Sequence, residues 1–218
     1  STPQIVCDGA AIAQPVSDSI HPRAVLDTAL AHDVSRLLQR IHIEHVFYTS
    51  TSILAMRGAV SDVHLCDLLK LGEPRPLFLQ NDTLFDENPL ILKILAFVQR
   101  EEEHVIRGHV NSVHPQLRVV RTTDNFLEFS DTHSGKFSAL KELAGNTGFE
   151  LSEVAAIGDN DNDAELIGCV GFGTAVQNGS ESALSRARII VPSNDSNGLA
   201  SFIHILLGDS NASARTTI

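Results

Sequence analysis

Residues 154–165 read VAAIGDNDNDAE, an apolar run that enters Gly158 and is followed by Asp159, Asp161 and Asp163 alternating with Asn160 and Asn162. A β-like run ending in a glycine turn reads as a buried strand that delivers a polar loop. Carboxylates this close repel one another unless positive charge lies between them, and a hard divalent cation with oxygen ligands is the usual answer. An EF-hand calcium loop fails after its first five positions. Ala164 stands where glycine is needed, Val170 where the bidentate glutamate is needed, and no helix precedes the loop. The plainer alternative is a solvated turn after a strand. Upstream, Ser134-Gly135-Lys136 opens a helical pattern and puts Lys136 near a helix N-terminus. The macrodipole disfavours a lysine there by roughly a few tenths of a kcal/mol, and a residue set against its local preference suggests another use. Taken alone it reads as an ordinary surface lysine. A cation and a metal facing one pocket are what a phosphoryl group needs. The histidines, His42, His45, His104, His109 and His114 among them, show no tight ligand spacing and read as surface or cap residues.

The elements around these residues fall into two rhythms. Residues 5–7 and 10–13 form a tight strand pair around Asp8-Gly9, and 22–41 has helix spacing with Pro22 at its start. Strands are expected at 43–48, 53–60, 76–79, 90–98, 117–121 and 125–129, helices at 63–71 and 100–111, and a polar loop at 81–89. This block is an α+β mixture. After Phe129 helices (136–145, 163–168, 180–187, 198–207) alternate with strands (154–157, 170–172, 189–191), the pattern of a parallel sheet covered by helices. In such sheets ligands gather at the carboxyl ends of the strands.

The chain has 218 residues, 43% of them hydrophobic and 20% charged, which is globular composition. A net charge of −11 argues against nucleic acid or an anionic membrane as partner. No apolar run approaches the ~20 residues of a membrane span. Three scattered cysteines, Cys7, Cys66 and Cys169, fit free thiols in a reducing compartment, so a cytoplasmic location is expected. The Asn-X-Ser/Thr matches at Asn81, Asn178, Asn194 and Asn211 read as chance without a secretion signal. The opening Ser1-Thr2-Pro3-Gln4 looks like the middle of a protein.

Lys136, Gly158-Asp159-x-x-Asn162-Asp163, Asn178 and residues 193–200 (SNDSNGLA) together resemble the C-terminal half of a haloacid dehalogenase-like (HAD) hydrolase of the Cof-type subfamily IIB, which includes sugar phosphatases. The likeness extends through Phe126-Leu127-Glu128-Phe129 and 173–178, and residues 5–12 (IVCDGAAI) resemble the family's Asn-Gly-Ala strand pair with Asp8 in place of Asn. The resemblance implies an α/β fold: a partial Rossmann-like parallel-sheet core from 1–12 and 124–208, an α+β cap of the C2B type over 13–123, and a flexible tail at 209–218. It implies a Mg²⁺-dependent phosphatase acting on a small phosphorylated substrate, sugar phosphates being the family's commonest class. Lys136 would hold the transferring phosphoryl group, Asp159 would ligate Mg²⁺, and Asp163 would support the metal through water. Asn162 would fix phosphate or metal, and Asp8 and Asn178 are further phosphate-side candidates. Asp161 falls on a variable position. Phe137 and Val176, where the family favours Gly and Met, read as packing positions.

The family's Asp-x-Asp-Gly-Thr, which carries nucleophile and acid/base, is absent, as is its later phosphate-binding Ser or Thr. Cys7-Asp8-Gly9-Ala10 could be a decayed first motif with Asp8 as the acid/base, but between Asp8 and Lys136 there is room for a cap alone. The expectation is therefore a chain that starts after those units, with an open place beside strand 154–157 and self-association through the incomplete sheet. Loss of a covalent nucleophile costs on the order of 10⁴–10⁶ in kcat. The rival expectation is a catalytically inactive HAD-like protein that binds a phosphorylated ligand or a protein partner.

Overall fold

The computed structural model describes residues 2–80, 83–86, 88–123, 125–208 and 215–216. The chain divides into two compact units, Ser1–Gly135 and Lys136–Ile218.

The first unit opens with β1 (Gln4–Val6), β2 (Ala11–Gln14) and β3 (Ser19–Pro22), a three-stranded antiparallel sheet whose first turn is Cys7–Gly9. Helix α1 (Thr28–Arg40) begins later than its apolar spacing suggests, because Pro22 closes β3 and the Asp27 carboxylate caps the helix by accepting from the Leu30 amide at 3.0 Å. There follow β4 (His45–Tyr48), β5 (Ile53–Met56), α2 (Asp62–Lys70), β6 (Leu77–Leu79) and α3 (Thr83–Asp86). The short α3 lies inside the stretch expected to be a polar loop, residues 81–89, whose positions 81, 82 and 87 are outside the described residues. Then come β7 (Lys93–Phe97), α4 (Arg100–Val113), β8 (Leu117–Thr123) and β9 (Phe126–Asp131). These strands make a six-stranded sheet in the order β6-β5-β4-β7-β9-β8.

Both faces of that sheet are covered, which is why its central strands are mostly apolar. Phe47, Ile94, Leu127 and Phe129 bury against Val34 and Leu38 of α1 and Ile106 and Val110 of α4. Their neighbours Val46, Tyr48, Leu95, Phe97 and Phe126 face the other way, onto Leu65 and Leu68 of α2. Strand β9 was expected in the parallel-sheet core; instead it pairs antiparallel with β7 and β8, Phe129 opposite Ile94 and Val119. Residues 1–12 also fall in the first unit, Ala10 and Ala11 packing on Leu92, and the boundary between the two compact units follows Gly135. Local hairpin pairing of β8 with β9 and burial of Leu127 and Phe129 account for the difference.

The second unit runs α5 (Lys136–Thr147), β10 (Ala155–Gly158), α6 (Ala164–Cys169), β11 (Phe172–Val176), α7 (Glu181–Arg186), β12 (Ile189–Val191), α8 (Gly198–Leu206) and β13 (Arg215–Thr216). The sheet order is β10-β11-β12-β13, parallel for the first three. The tail expected to be loose contributes β13, antiparallel to β12; residues 209–214, 217 and 218 lie outside the described residues. Among the described residues β10 has a strand partner on one side only. No helix of the described residues is long and apolar enough to cross a membrane.

His45, fully buried on β4, ties α1 to the sheet: its Nδ1–H donates to the Ile43 carbonyl at 3.0 Å, so its Nε2 accepts from the Ser35 hydroxyl at 2.8 Å. Burial holds its pKa below the ordinary value, only partly offset by the Ile43 carbonyl. A histidine kept neutral contributes stability that is fully present above its unfolded pKa of about 6.5 and is lost as pH falls. Urea titrations from about pH 7.5 down to pH 5 should show this decline in the wild type and a shallower one in His45→Gln. Ser35→Ala, which strands Nε2, should cost about 1 kcal/mol at neutral pH.

Candidate active site

In the second unit the parallel strands β10, β11 and β12 deliver three loops at their carboxyl ends. The first is the acidic loop. Asp163 Oδ2 accepts from the backbone amides of Asp159 (3.1 Å) and Asn160 (3.2 Å), closing the loop on itself ahead of α6. Its other oxygen, Oδ1, accepts from Lys136 Nζ at 2.5 Å. Gly158 makes this closure possible, since a Cβ there would lie 2.4 Å from the Asp163 Cβ. Lys136 is the first residue of α5, so the ion pair joins the start of one helix to the loop that precedes another.

Asp159 stands beside this pair. Burial, then the Asp163 charge, push its carboxyl pKa up, and Lys136 opposes them. Asn162 is 9% exposed on the same loop. The second loop touches the first, the Ser180 amide donating to the Asp159 carbonyl at 2.7 Å. It is braced to the third through Asn178, which donates to Asn194 Oδ1 at 2.7 Å and accepts from the Asn194 amide at 3.3 Å. The structure thus brings together Lys136, Asp159, Asn162 and Asp163 and puts Asn178 on the adjoining loop, held by Asn194. Val176 is buried with Val191 and Phe202, a packing position.

The donor set was tested against a divalent cation. Both Asp163 oxygens are engaged by nitrogen donors, so of the two carboxylates beside Lys136 it is Asp159 that is available for direct ligation. Among the described residues no three of His, Cys, Asp and Glu stand together to hold a metal ion. Alone, therefore, these residues fit only part of a magnesium shell, with Asp163 one layer behind. The same bonds rule against an EF-hand arrangement, whose carboxylates must all turn inward.

Asp8, the remaining phosphate-side candidate, is held by an ion pair. In the first unit its carboxylate accepts from Lys93 Nζ at 2.8 Å, and Lys93 also donates to Glu128 at 2.8 Å. The Asp8 carboxylate is thereby part of an ion-paired cluster on the sheet of the first unit. Lys93 and Glu128 were missed by sequence reasoning. The signal was present: each is one charge of opposite sign inside an otherwise apolar strand, LILKILAFV and FLEFS.

Comparison with known proteins gives the family and the fold. A family model described as haloacid dehalogenase-like hydrolase matches residues 1–203. The chain is 29% identical over 126 residues to the 5-amino-6-(5-phospho-D-ribitylamino)uracil phosphatase YwtE of Bacillus subtilis, covering 58% of this chain and 44% of that protein. It is 40% identical over 67 residues to a phosphoglycolate phosphatase of Methanosarcina mazei, covering 31% and 30%. The chain thus spans less than half the length of these curated relatives. Among solved structures, a haloacid dehalogenase-like hydrolase from B. subtilis superposes with a TM-score of 0.81 at 22% identity, covering 94% of this chain and 79% of that one. The HAD subclass IIB sugar phosphatase BT4131 gives 0.76 at 16%, covering 95% and 76%. Because that family model matches residues 1–203 of the 218 in this chain, the chain belongs to the haloacid dehalogenase-like hydrolases.

Proposed function

We propose that this chain carries the phosphate- and metal-facing half of a Mg²⁺-dependent phosphatase of HAD subfamily IIB. The observation that carries this reading is the Lys136–Asp163 pair beside Asp159 at the carboxyl ends of a parallel sheet. Asp163 holds the Lys136 ammonium in place, so its charge meets the phosphoryl oxygens without reorganising. Magnesium, held directly by Asp159 and through water by Asp163, would supply further positive charge to those oxygens. Asn162 is the candidate for orienting the phosphate. In this reading the second unit is the core and the six-stranded sheet of the first is the cap, whose loops select the substrate. The substrate class is a small phosphate monoester, and a sugar phosphate is the first choice because BT4131, a solved structure of similar fold, is a sugar phosphatase. The free side of β10 is where we place a further strand bearing Asp-x-Asp-Gly-Thr, the source of the nucleophile and of the remaining metal carboxylates.

Hydrolysis of p-nitrophenyl phosphate with Mg²⁺ tests this on two proteins, the present chain and, as the full product, the same chain extended at its N-terminus by a family segment bearing Asp-x-Asp-Gly-Thr. The full product should be active, and Lys136→Ala and Asp159→Ala should each lower its kcat by about 10²–10⁴. The present chain should be slower by on the order of 10⁴ or more. Full activity of the present chain would refute the need for an outside nucleophile. A full product that binds phosphate without hydrolysing it would establish the inactive binder instead.

The raised Asp159 pKa gives a second test. A proton competes with the metal for that carboxylate, so Mg²⁺ affinity measured by calorimetry on the full product should weaken toward acid pH, starting above the range of an ordinary aspartate. Asp159→Asn should bind more weakly and lose that pH dependence; an unchanged dependence would remove Asp159 from the metal's ligands.

A further inference from the structure

The first unit buries a second charged cluster that the proposed reaction does not use. Lys93 on β7 is 9% exposed and lies between Asp8, in the Cys7–Gly9 turn, and Glu128 on β9, which is 0% exposed. Across the sheet on β8, Arg118 Nη1 stops 3.9 Å short of Glu128 Oε1, and both atoms are buried with no hydrogen-bond partner. The Tyr48 ring of β4 lies over the Lys93 ammonium, 4.8 Å from it, and Cys7 and Glu73 are the other titratable groups within reach. The turn that Asp8 belongs to is strained. Cys7 and Asp8 both have φ of 50°, a left-handed conformation that costs a non-glycine residue roughly 1–2 kcal/mol. Such a conformation persists only where its surroundings hold it. Here Lys93 holds the Asp8 carboxylate and Arg23 Nε donates to the Gly9 carbonyl at 2.9 Å. Gly9 abuts the backbone of Gly135, where a Cβ would lie 2.1 Å from the carbonyl oxygen.

We propose that Asp8, Lys93, Glu128 and Arg118 form a one-proton switch that sets how tightly the Cys7–Gly9 turn is held to strands β7 and β9. The inference is independent of the phosphatase reading. With Glu128 neutral, the Lys93 charge serves Asp8 alone and the turn is clamped. With Glu128 ionised, two buried carboxylates share one lysine. The surplus negative charge is costly in a low-dielectric interior, and it is relieved in two ways: Arg118 closes its gap to Oε1, and Asp8 is repelled, which loosens the turn. Burial raises the Glu128 pKa, Lys93 lowers it and Asp8 raises it again, leaving it at about 7. The switch therefore works in the neutral range, and its sign is fixed: tight at lower pH, looser at higher.

The Ala10 amide, which donates to the Cys7 carbonyl at 3.0 Å, reports the turn. Hydrogen-exchange protection of that amide, corrected for intrinsic rate, should fall about threefold or more between pH 6 and pH 8 in the wild type. Glu128→Gln should hold the lower-pH level of protection at both values, and Lys93→Met should lose about tenfold at both, since hydrogen bonds to charged groups are worth that much or more. Equal protection at the two pH values in the wild type overturns the proposal, as does a pH dependence that survives in Glu128→Gln. Should Glu128→Gln fail to fold, Arg118→Gln decides. Removing the relieving cation should move the midpoint upward by at least about half a pH unit, and an unmoved midpoint overturns the proposal.

Discussion

One carboxylate organises the second unit. Asp163 accepts two backbone amides through one oxygen and the Lys136 ammonium through the other. The amide bonds give the acidic loop its shape, and the ion pair fixes where α5 begins relative to that loop. Without Asp163, Asp159 would lose its neighbour, Lys136 its anchor and Gly158 the reason for its missing side chain. Side-chain to backbone bonds of this kind normally compete with secondary structure. Here they use that competition, stopping β10 at Gly158 and delaying α6 until Ala164.

The first unit meets the opposite problem, charge inside a sheet covered on both faces. Its apolar faces are closed by α1 and α4 on one side and α2 on the other, leaving little room for polar groups. Several of the polar groups that do enter bridge elements: His45 between Ser35 and Ile43, Glu44 accepting from the Ser61 amide and His64 at the start of α2, and Lys93 between two carboxylates. These contacts cross between elements, so each fixes the register of a helix or turn against the sheet.

Much of this was legible in the sequence because it is periodic or local. The 3.6-residue spacing of Val34, Leu37 and Leu38, the run at 90–98, and the α/β alternation after residue 136 show as elements close to their expected positions, except that the strand expected at 170–172 runs from Phe172 to Val176. The acidic loop was legible because repeated carboxylates after a strand need a physical answer. Strand partners were not legible: nothing in FLEFS says that it lies between β7 and β8 rather than in the parallel sheet. Nor was the fate of Asp8, because its partner Lys93 is far away in sequence and looked like an interruption in an apolar run. The start of α1 was misplaced because two competing signals, Pro22 and Asp27, each suit a helix N-terminus, and only the pairing of β3 decides between them.

The position of β7 also bears on how the protein is made. β7 pairs with β4 on one side and β9 on the other, and it carries the buried lysine. During synthesis its first partner emerges well before it, and its second only after α4 and β8 have followed. Until then one edge of β7 stays open and Lys93 lacks Glu128. Sheets closed by such non-local pairings form slowly, because loop closure must come before the contacts that reward it. The second unit, with parallel strands joined by short helices and most contacts between near neighbours in sequence, has no comparable wait. On the ribosome, where domains tend to fold in the order they appear, the slower unit comes first. Its unfinished strands must stay soluble while the rest of the chain is still being added.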